Sequence, residues 1–550
     1  MKRIPPRPDI GHLKKQAKEL LAACRAGDAA ALARLRAALP AARGLPDAAL
    51  AALRLHDAQS CLAREHGLAS WAELQALVQA RRALADDPRH ALAQWLRLVY
   101  AGDIAGGSHA ARPKLAARLW AEGAVPPLDG DPWLACAVGD LDALRRASAH
   151  DPLWLHRAGG PLHLPPLVAV AHSSLLRLSA FRDGLHACAR WLLQAGADPN
   201  QRAGNRWPPA SLQAPDDAQP LSALYGAAGQ NHDAPLTQWL LAAGADPDDG
   251  ESLYHAQGDL ECTRLLLQAG ARTAGTNALY RVLDRDDLPG LQLLLDHGAD
   301  PNEAPPPGPA ADAGSPLLWA IRRRRSPAHV QALLDAGADP AARTRDGTPA
   351  AIWALRHGLP GVAEALRGRT PSAPDVPLPE RFVGACAAGD EAQARQLLAR
   401  HPALVRELAP AHLRLLPELA AAGHGAAVQL MVRLGWPIAT RGGDWDASAL
   451  NHAVFRGDAA LARFLLAHGA DWRERHGFGD NACGTLAWAS TNTPAEDGDW
   501  VGCAQALRDH GLPPATPDPG GSDGVCIDGC VLAFSDAVAD CLLDAAPPQG

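Results

Sequence analysis

The chain has 550 residues, of which 47% are apolar, 20% charged and 5% aromatic, and its formal net charge at pH 7 is −8. This apolar content is that of globular proteins and excludes disorder along the whole chain. No apolar run approaches the roughly 18 residues that read as a transmembrane helix, and the basic N-terminus lacks the apolar centre of a secretory signal. We therefore expect no membrane partner. At about 150 residues per domain, the length favours several domains or one long array.

The charge is distributed unevenly along the chain. Residues 1–40 carry nine Lys or Arg against three Asp or Glu, whereas residues 480–550 carry eleven acidic residues and one basic residue, Arg508. Opposite charges at the two ends can steer partners or favour head-to-tail association. The alternative is that both ends are solvated surface.

The N-terminal segment predicts four helices between residues 9 and 82. They are a Lys-rich helix, a partner that follows a Gly-Asp turn within 17–38, a helix over 47–66 and a helix over 70–80. Ser70 and Glu73 stand three residues apart, the spacing of a capping box at a helix N-terminus. We predict a small helical module over 1–85.

One phrase recurs downstream, with the pattern LL-x-x-GA, which continues as GADPN in its fullest copies. A leucine run at helical spacing forms an apolar stripe. The glycine stands just past the helix end, where the backbone must turn left-handed, and the following proline prevents further helix. The copies lie at 191–200, 239–248, 265–274, 293–302, 332–341 and 464–473.

A second phrase precedes the first and predicts another short helix. It begins with Ser or Thr, which caps a helix by accepting backbone N–H bonds, and is seen at 252–259, 276–283, 315–324 and 448–458. A Gly-Asp pair often follows such helices, at 139–140, 258–259, 389–390 and 457–458. The glycine ends one helix and the aspartate caps the next, which gives a helix–turn–helix with almost no loop.

Together the two phrases resemble the ankyrin repeat. The matching residues of the clearest unit are Ser448, Leu450, Ala453, Gly457, Asp458, Leu465, Leu466, Gly469, Ala470 and Asp471. The resemblance implies an all-α fold, an ankyrin-type α-solenoid of about twelve helix pairs with short hairpin turns, after the small helical N-terminal module. Units within 251–301 are short, so we expect helices there to be clipped by about a turn.

These patterns predict five segments along the chain. The stretch 367–380 holds four prolines and predicts a linker, and 516–550 predicts an acidic tail with a capping helix. The predicted segments are the helical module 1–85, a first ankyrin block 90–366, the linker 367–380, a second block 381–515 and the tail 516–550.

The sequence holds no motif for catalysis, for a cofactor or for a metal. It lacks HExxH, zinc-finger spacings, a P-loop and a nucleophile elbow. The eleven cysteines are scattered and predict reduced, mostly buried thiols; Cys526 and Cys530, the one close pair, lack the second pair that a zinc site needs. We predict no enzyme activity, no catalytic residues, no cofactor and no metal.

A solenoid offers an extended surface on which packing leaves side chains free to bind. Tyr, Trp and Arg are enriched as binding anchors at protein interfaces. For each candidate named below, the alternative role is packing between repeats. For the arginine run 322–325, the alternative is a solvated surface. The candidate partner-binding residues are Tyr225, Tyr254, Tyr280, Trp319, Arg322, Arg323, Trp353, His452, Phe455 and Trp488.

These observations favour a bacterial, cytoplasmic, monomeric scaffold that binds a protein partner without catalysis. Three alternatives stay open. The first is a secreted effector that acts on a host protein. The second is a structural protein that assembles through its oppositely charged ends, and the third is a nucleic-acid binder. The basic N-terminal helix permits the last, but the net charge and the absence of a reading motif argue against it.

Overall fold

The computed structural model describes residues 8–51, 53, 55–86, 90–125, 130–370, 375–492, 498–518 and 524–543. Within them the chain is predominantly helical, which confirms the predicted all-α class. It divides into two compact units, Met1–Asp300 and Pro301–Gly550. None of the described helices combines the length and apolar character that crossing a bilayer requires. The five predicted segments stay predictions, and residues 371–374, 519–523 and 544–550 of the predicted linker and tail lie outside the described ranges.

The first unit contains seventeen α-helices among its described residues. They are α1 Ile10–Arg25, α2 Ala29–Ala38, α3 Asp47–Ala51, α4 Leu55–Glu65, α5 Trp71–Asp86, α6 Ala91–Val99, α7 Gly102–Ala105, α8 Pro113–Ala121, α9 Pro132–Val138, α10 Leu141–His150, α11 Pro166–Ala171, α12 Ser179–Gln194, α13 Ala234–Ala242, α14 Ser252–Ala256, α15 Leu260–Gln268, α16 Ala278–Asp284 and α17 Leu288–Asp296. Strands β1 Arg202–Asn205 and β2 Asp216–Ser222 form an antiparallel hairpin, and a π-helix over Tyr225–Gln230 follows it.

The second unit continues the series with short strands between its helices. The helices are α18 Pro309–Ala313, α19 Pro316–Arg322, α20 Pro327–Asp335, α21 Ala350–Arg356, α22 Pro360–Gly368, α23 Leu378–Ala388, α24 Glu391–Arg400, α25 Pro410–Leu413, α26 Leu415–Ala421, α27 Gly425–Arg433, α28 Ala449–Phe455, α29 Ala459–Ala467, α30 Ala482–Asn492, α31 Trp500–Asp509 and α32 Asp536–Leu543. The strands are β3 Arg441–Gly442, β4 Ala447–Ser448, β5 Thr516–Pro517, β6 Val525–Ile527 and β7 Cys530–Leu532, with β3 antiparallel to β4 and β6 antiparallel to both β5 and β7.

Most helices of both units stand in pairs that stack on one another. Within a pair the first helix packs on the second, as in α14 with α15, α19 with α20 and α28 with α29. Between neighbouring pairs, first helices contact first helices (α19 with α21, α28 with α30) and second helices contact second helices (α15 with α17, α29 with α31). Apolar side chains fill the spaces between the layers; in the second unit they run continuously from Phe382 to Leu542. The core is therefore extended along the stack, and each pair buries its apolar faces against its neighbours.

The helix ends follow the sequence rules. The glycines of the recurring phrase all have positive φ, from 85° at Gly298 to 100° at Gly337. In the Gly-Asp pairs, the carboxylate accepts a hydrogen bond from the amide three residues later: Asp390 from Gln393 at 3.0 Å and Asp458 from Leu461 at 2.9 Å. The predicted stops and caps are confirmed at these positions.

The predicted Ser and Thr caps of the first helices are confirmed only in part. Ser448 accepts a bond from the amide of Asn451, but Ser315 makes no such bond. At α14 the N-cap residue is Glu251, which makes no such bond, and the carboxylate of Asp249 accepts from the amide and the hydroxyl of Ser252 instead. Proline at the first helical position explains why Ser315 makes no capping bond. Pro316 sets the helical φ itself and lacks one of the amides that need a cap.

The N-terminal module has the predicted helices, with one division. Ser70 accepts a bond from the amide of Glu73 as predicted, but the Glu73 carboxylate accepts one from the amide of Ala69 and not of Ser70, so the capping box is confirmed only in part. The predicted helix over 47–66 is divided into α3 and α4. Among residues 251–301, α14 is shortened to five residues as expected, whereas α16 keeps the seven found in α19, α21 and α28.

The cap at Asp458 yields a stability prediction. Replacing Asp458 with Ala removes the acceptor for the Leu461 amide, so we expect the free energy of unfolding to fall by about 1 kcal/mol. Asp458→Asn is the matched control, since an asparagine oxygen caps about as well. Urea titrations followed by circular dichroism measure both variants; equal losses in the two would show that the cap is not the cause.

Candidate functional site

Two neighbouring pockets lie in the second unit, on the surface formed by hairpin turns and first helices. The hairpin at 343–349 precedes α21, and the hairpin at 441–448 precedes α28. The first pocket, of about 370 Å³, is lined mainly by charged residues of α19, α21, α26 and the 343–349 hairpin, and we name it the charged pocket. The second, of about 420 Å³, is lined by Trp445, Phe455, His476, Phe478, Asp480, Gly484, Thr485 and Trp488, and we name it the aromatic pocket.

The arginines that follow Trp319 are held in ion pairs beside the charged pocket. Arg322 lies 3.0 Å and Arg323 2.7 Å from the carboxylate of Asp444, which belongs to the 441–448 hairpin. Both guanidinium groups also lie over the ring of Trp319, at 5.1 and 4.3 Å from its centroid. Their side chains are 13% and 29% exposed, so the alternative of a solvated face does not hold for these two residues.

A buried ion pair lies next to this pocket. Arg356 at the end of α21 donates two hydrogen bonds to the carboxylate of Glu380 in α23, at 3.0 and 2.5 Å, and its guanidinium lies over the ring of Trp353. His412 contacts the same carboxylate at 3.0 Å. Although burial raises the pKa of Glu380, its hydrogen bonds with His412 and Arg356 outweigh burial, and the net shift is downward. Glu380 is therefore ionised at neutral pH.

The remaining titratable groups of the charged pocket are shifted by burial. Burial, together with the positive charges of nearby arginines, lowers the pKa of His357 well below its usual range, so this imidazole is neutral at pH 7. Burial also raises the pKa of Glu418, although Arg322 and Arg414 act in the opposite direction. The pocket thus has an excess of cationic groups that are partly neutralised from within the unit.

The aromatic pocket is built by the 441–448 hairpin, α28, the turn at 476–480 and α30. Phe455 and Trp488 are stacked, with ring centroids 5.7 Å apart and planes 14° from parallel. Trp445 lies 5.6 Å from Phe455 and meets the ring of His476 edge to face at 4.8 Å. The side chain of Phe478 is 82% exposed and that of Trp488 55%, so the pocket presents a large apolar surface to solvent.

The turn that carries Phe478 is fixed by its own hydrogen bonds. The amide of His476 donates to the carbonyl oxygen of Asp480, and the amide of Phe478 donates to Nδ1 of His476 at 3.2 Å. Asn481 accepts bonds from the amides of Cys483 and Gly484 and caps α30. Phe478 and Asp480 are therefore positioned by the backbone although both are exposed.

The three candidate tyrosines lie in the first unit. Tyr225 and Tyr280 are buried, whereas Tyr254 is half-buried beneath the guanidinium of Arg281. The Tyr225 hydroxyl donates to the carboxylate of Asp103 at 3.2 Å, and burial, reinforced by Asp103, raises the pKa of Tyr225. The structure brings Tyr225 and Tyr254 against the same side chain, since both rings meet the ring of His255 edge to face, at 5.1 and 5.0 Å.

The candidates of the second unit fall into two groups. Trp319 and His452 are buried, and Trp353 is half-buried with its indole N–H bonded to the carbonyl of Leu318. Phe455 and Trp488 form one wall of the aromatic pocket. Partner contact by each candidate stays a prediction; the structure brings Phe455 and Trp488 together, with His452 behind Trp445 at 4.6 Å.

Several residues of these pockets were missed by the sequence reasoning. Trp445, Phe478 and Asp480 lie in turns, outside the recurring helical phrases. The signal that would have found them is the presence of large aromatic residues in glycine-rich turns, where no core requires them. Asp444, Glu380 and His412 carried no local signal, because their partners are 24 to 122 residues away.

The cysteines agree with the prediction of reduced thiols. All eleven are free, eight are buried, and burial raises the pKa of Cys483 to about 12. No cluster of three or more His, Cys, Asp or Glu side chains that could hold a metal ion occurs in the described part of the chain.

Comparison with known proteins adds no family to these observations. No protein-family model matches the chain. The curated proteins give no match either.

Proposed function

We propose that the chain is an ankyrin-type solenoid that binds a protein partner without catalysis, and that the partner docks on the surface formed by the aromatic pocket and the charged pocket. The stacked helix pairs, the left-handed glycines and the hairpins before α21 and α28 support the ankyrin-type arrangement. We also propose that this scaffold acts in the cytoplasm, a reducing compartment with which its free thiols are compatible.

The exposed aromatic cluster is the observation that carries the proposal. Burying Trp488 and Phe478 would be favourable, because each aromatic side chain removes a large apolar area from water. Instead the turn and α30 hold both outside the core, beside the ordered rings of Trp445 and Phe455. Rigid aromatic side chains around a pocket are the anchors that dominate binding energy at protein interfaces.

The charged pocket gives the same surface an electrostatic pattern. Asp444 pairs with Arg322 and Arg323, and Trp445, the next residue, lines the aromatic pocket. A partner that lies across both pockets therefore contacts the apolar rings of the aromatic pocket and, beside them, the ion pairs of Asp444 with Arg322 and Arg323. Such charges contribute more to the rate and register of association than to its affinity.

The test is photo-crosslinking at the aromatic pocket in living source cells. A photoreactive phenylalanine analogue replaces Phe478, and crosslinked proteins are identified by mass spectrometry. Trp207, which is 49% exposed in the first unit, is the matched control position. We expect one protein to crosslink at 478 and not at 207, and to bind the purified full-length chain in a one-to-one complex that Trp488→Ala weakens by more than ten-fold (about 1.4 kcal/mol).

Three outcomes would contradict the proposal. The first is that the same proteins crosslink at both positions, and the second is that none crosslinks at 478. The third is that Trp488→Ala leaves the affinity of the purified complex unchanged. Thermal unfolding of the Trp488→Ala variant must match that of the Trp207→Ala variant, so that a loss of binding is not a loss of folding.

A further inference from the structure

The rings of the aromatic pocket differ in their surroundings from other tryptophans of the same unit. Arginine guanidinium groups lie over Trp319, Trp353 and Trp472, at 4.3 to 5.3 Å from the ring centroids. Among the described residues, no Arg or Lys lies over Trp445, Phe455, Phe478 or Trp488. The exposed rings of Phe478 and Trp488 therefore offer aromatic surface with the negative electrostatic potential that attracts cations.

A carboxylate completes the charge pattern of the pocket. Asp480 lines it, and its side chain has no ion-pair or hydrogen-bond partner within the described ranges, whereas the nearby Asp446 is paired with Arg441 at 2.8 Å. His476 adds no competing charge: burial lowers its pKa, and Arg441 reinforces that effect against the opposing influence of Asp480. The pocket thus combines the exposed rings of Phe478 and Trp488 with the carboxylate of Asp480, for which the described part of the chain supplies no partner, and this combination favours a positively charged ligand.

We propose that the aromatic pocket binds a positively charged side chain, an arginine or a methylated lysine, presented by an extended peptide of the protein partner. Charge complementarity assigns this occupant, because a guanidinium or alkylammonium group gains from the ring faces and from Asp480 at once. The inference rests on the proposed protein-binding function and names the chemistry of its central contact.

The exposure of the pocket favours a peptide over a free small cation. A small ion would leave much of Phe478 and Trp488 in water, since these side chains are 82% and 55% exposed. A backbone that lies across the pocket would cover both. The pocket, of about 420 Å³, has room for a long side chain and part of the chain that carries it.

The first experiment compares short peptides that differ only in one central residue. Isothermal titration calorimetry with the full-length protein measures a peptide with central arginine against one with citrulline, its neutral analogue. A second pair compares trimethyllysine with its uncharged carbon isostere. We expect the charged member of at least one pair to bind roughly ten-fold more tightly. Equal affinity within both pairs would overturn the assignment of a cation.

The second experiment locates the binding. Trp488→Ala should abolish measurable binding of the charged peptide, and Asp480→Asn, which keeps the shape of the side chain, should weaken it several-fold. Trp207→Ala should leave it unchanged, because Trp207 is similarly exposed but belongs to the other unit. Binding that survives Trp488→Ala would place the peptide elsewhere and overturn the inference.

The third experiment distinguishes a free small cation from a cationic side chain carried by a peptide. Tetramethylammonium chloride is titrated against the same protein, and we expect it to bind far more weakly than the charged peptide; equal affinity would overturn the assignment of a peptide. Crosslinking at Phe478 with no charge discrimination among peptides would refute this inference and leave the proposed function standing. Charge-selective peptide binding without any protein crosslinked in cells would support the cation site and contradict the proposed function.

Discussion

Glu380→Gln should lower the free energy of unfolding by about 3 to 5 kcal/mol, the largest effect that we expect from a single polar substitution. The carboxylate of Glu380 accepts two hydrogen bonds from Arg356 and contacts His412, and Glu380 is only 7% exposed. Glutamine keeps the shape but removes the charge. The Arg356 guanidinium would then remain buried without the carboxylate to which it is hydrogen-bonded, and this poorly compensated charge is the cause of the loss.

A double-mutant cycle separates the ion pair from simple packing. Arg356→Met removes the cation with a similar volume, and we expect Arg356→Met with Glu380→Gln to be more stable than Glu380→Gln alone, because no unpaired charge remains. Urea unfolding at pH 7 measures the four proteins. Strictly additive losses would show that Arg356 and Glu380 are not energetically coupled.

The same ion pair ties together segments that are separated in sequence. Arg356 ends α21, Glu380 lies in α23 beyond the proline-rich stretch, and His412 lies in α25. The helices α21 and α23 also pack directly on each other. We therefore expect loss of Glu380 to loosen the packing of both helices, which lie beside the charged pocket.

The sequence predicted the features of the fold that depend on neighbouring residues. A glycine after a leucine run must adopt positive φ to end the helix, and Gly337 and Gly469 do so. An aspartate after such a glycine caps the next helix within three residues, as Asp390 and Asp458 show. Short-range rules of this kind need no knowledge of the rest of the chain.

The pockets were harder to predict because they are assembled from distant residues. The run 322–325 gave no indication that Asp444, 121 residues from Arg323, would pair with Arg322 and Arg323. Phe455 and Trp488 were singled out separately by residue type, but their stacking depends on the packing of α28 on α30. Long-range pairing of this kind is set by the tertiary fold, and the repeat pattern leaves these positions free.

The second large effect is a loss of stability in acid that depends on His452. Burial lowers the pKa of this imidazole to about 4, and its Nε2 is bonded to the carbonyl of Gly442 at 3.1 Å. Its ring packs against Trp445, and the titratable groups that act on it are Asp444, which favours the charged form, and His476, which opposes it.

The direction of this pH effect follows from the pKa of His452 in the folded state and in the unfolded state. In the unfolded chain a histidine titrates near 6.5, so below that pH the unfolded state binds a proton that the folded state refuses. The contribution of His452 is therefore fully present above pH 6.5 and is lost as the pH falls toward 4. With 1.36 kcal/mol per pKa unit, the loss between pH 7.5 and 4.5 is about 2.5 kcal/mol.

His452→Gln isolates this contribution, because the glutamine amide can still donate to the Gly442 carbonyl but does not titrate. We expect the unfolding free energy of wild type to fall by about 2 to 3 kcal/mol more than that of His452→Gln between pH 7.5 and 4.5. His401→Gln, at an exposed histidine of the same unit, should follow wild type. Identical pH profiles for wild type and His452→Gln would mean that the folded protein does not hold this imidazole neutral.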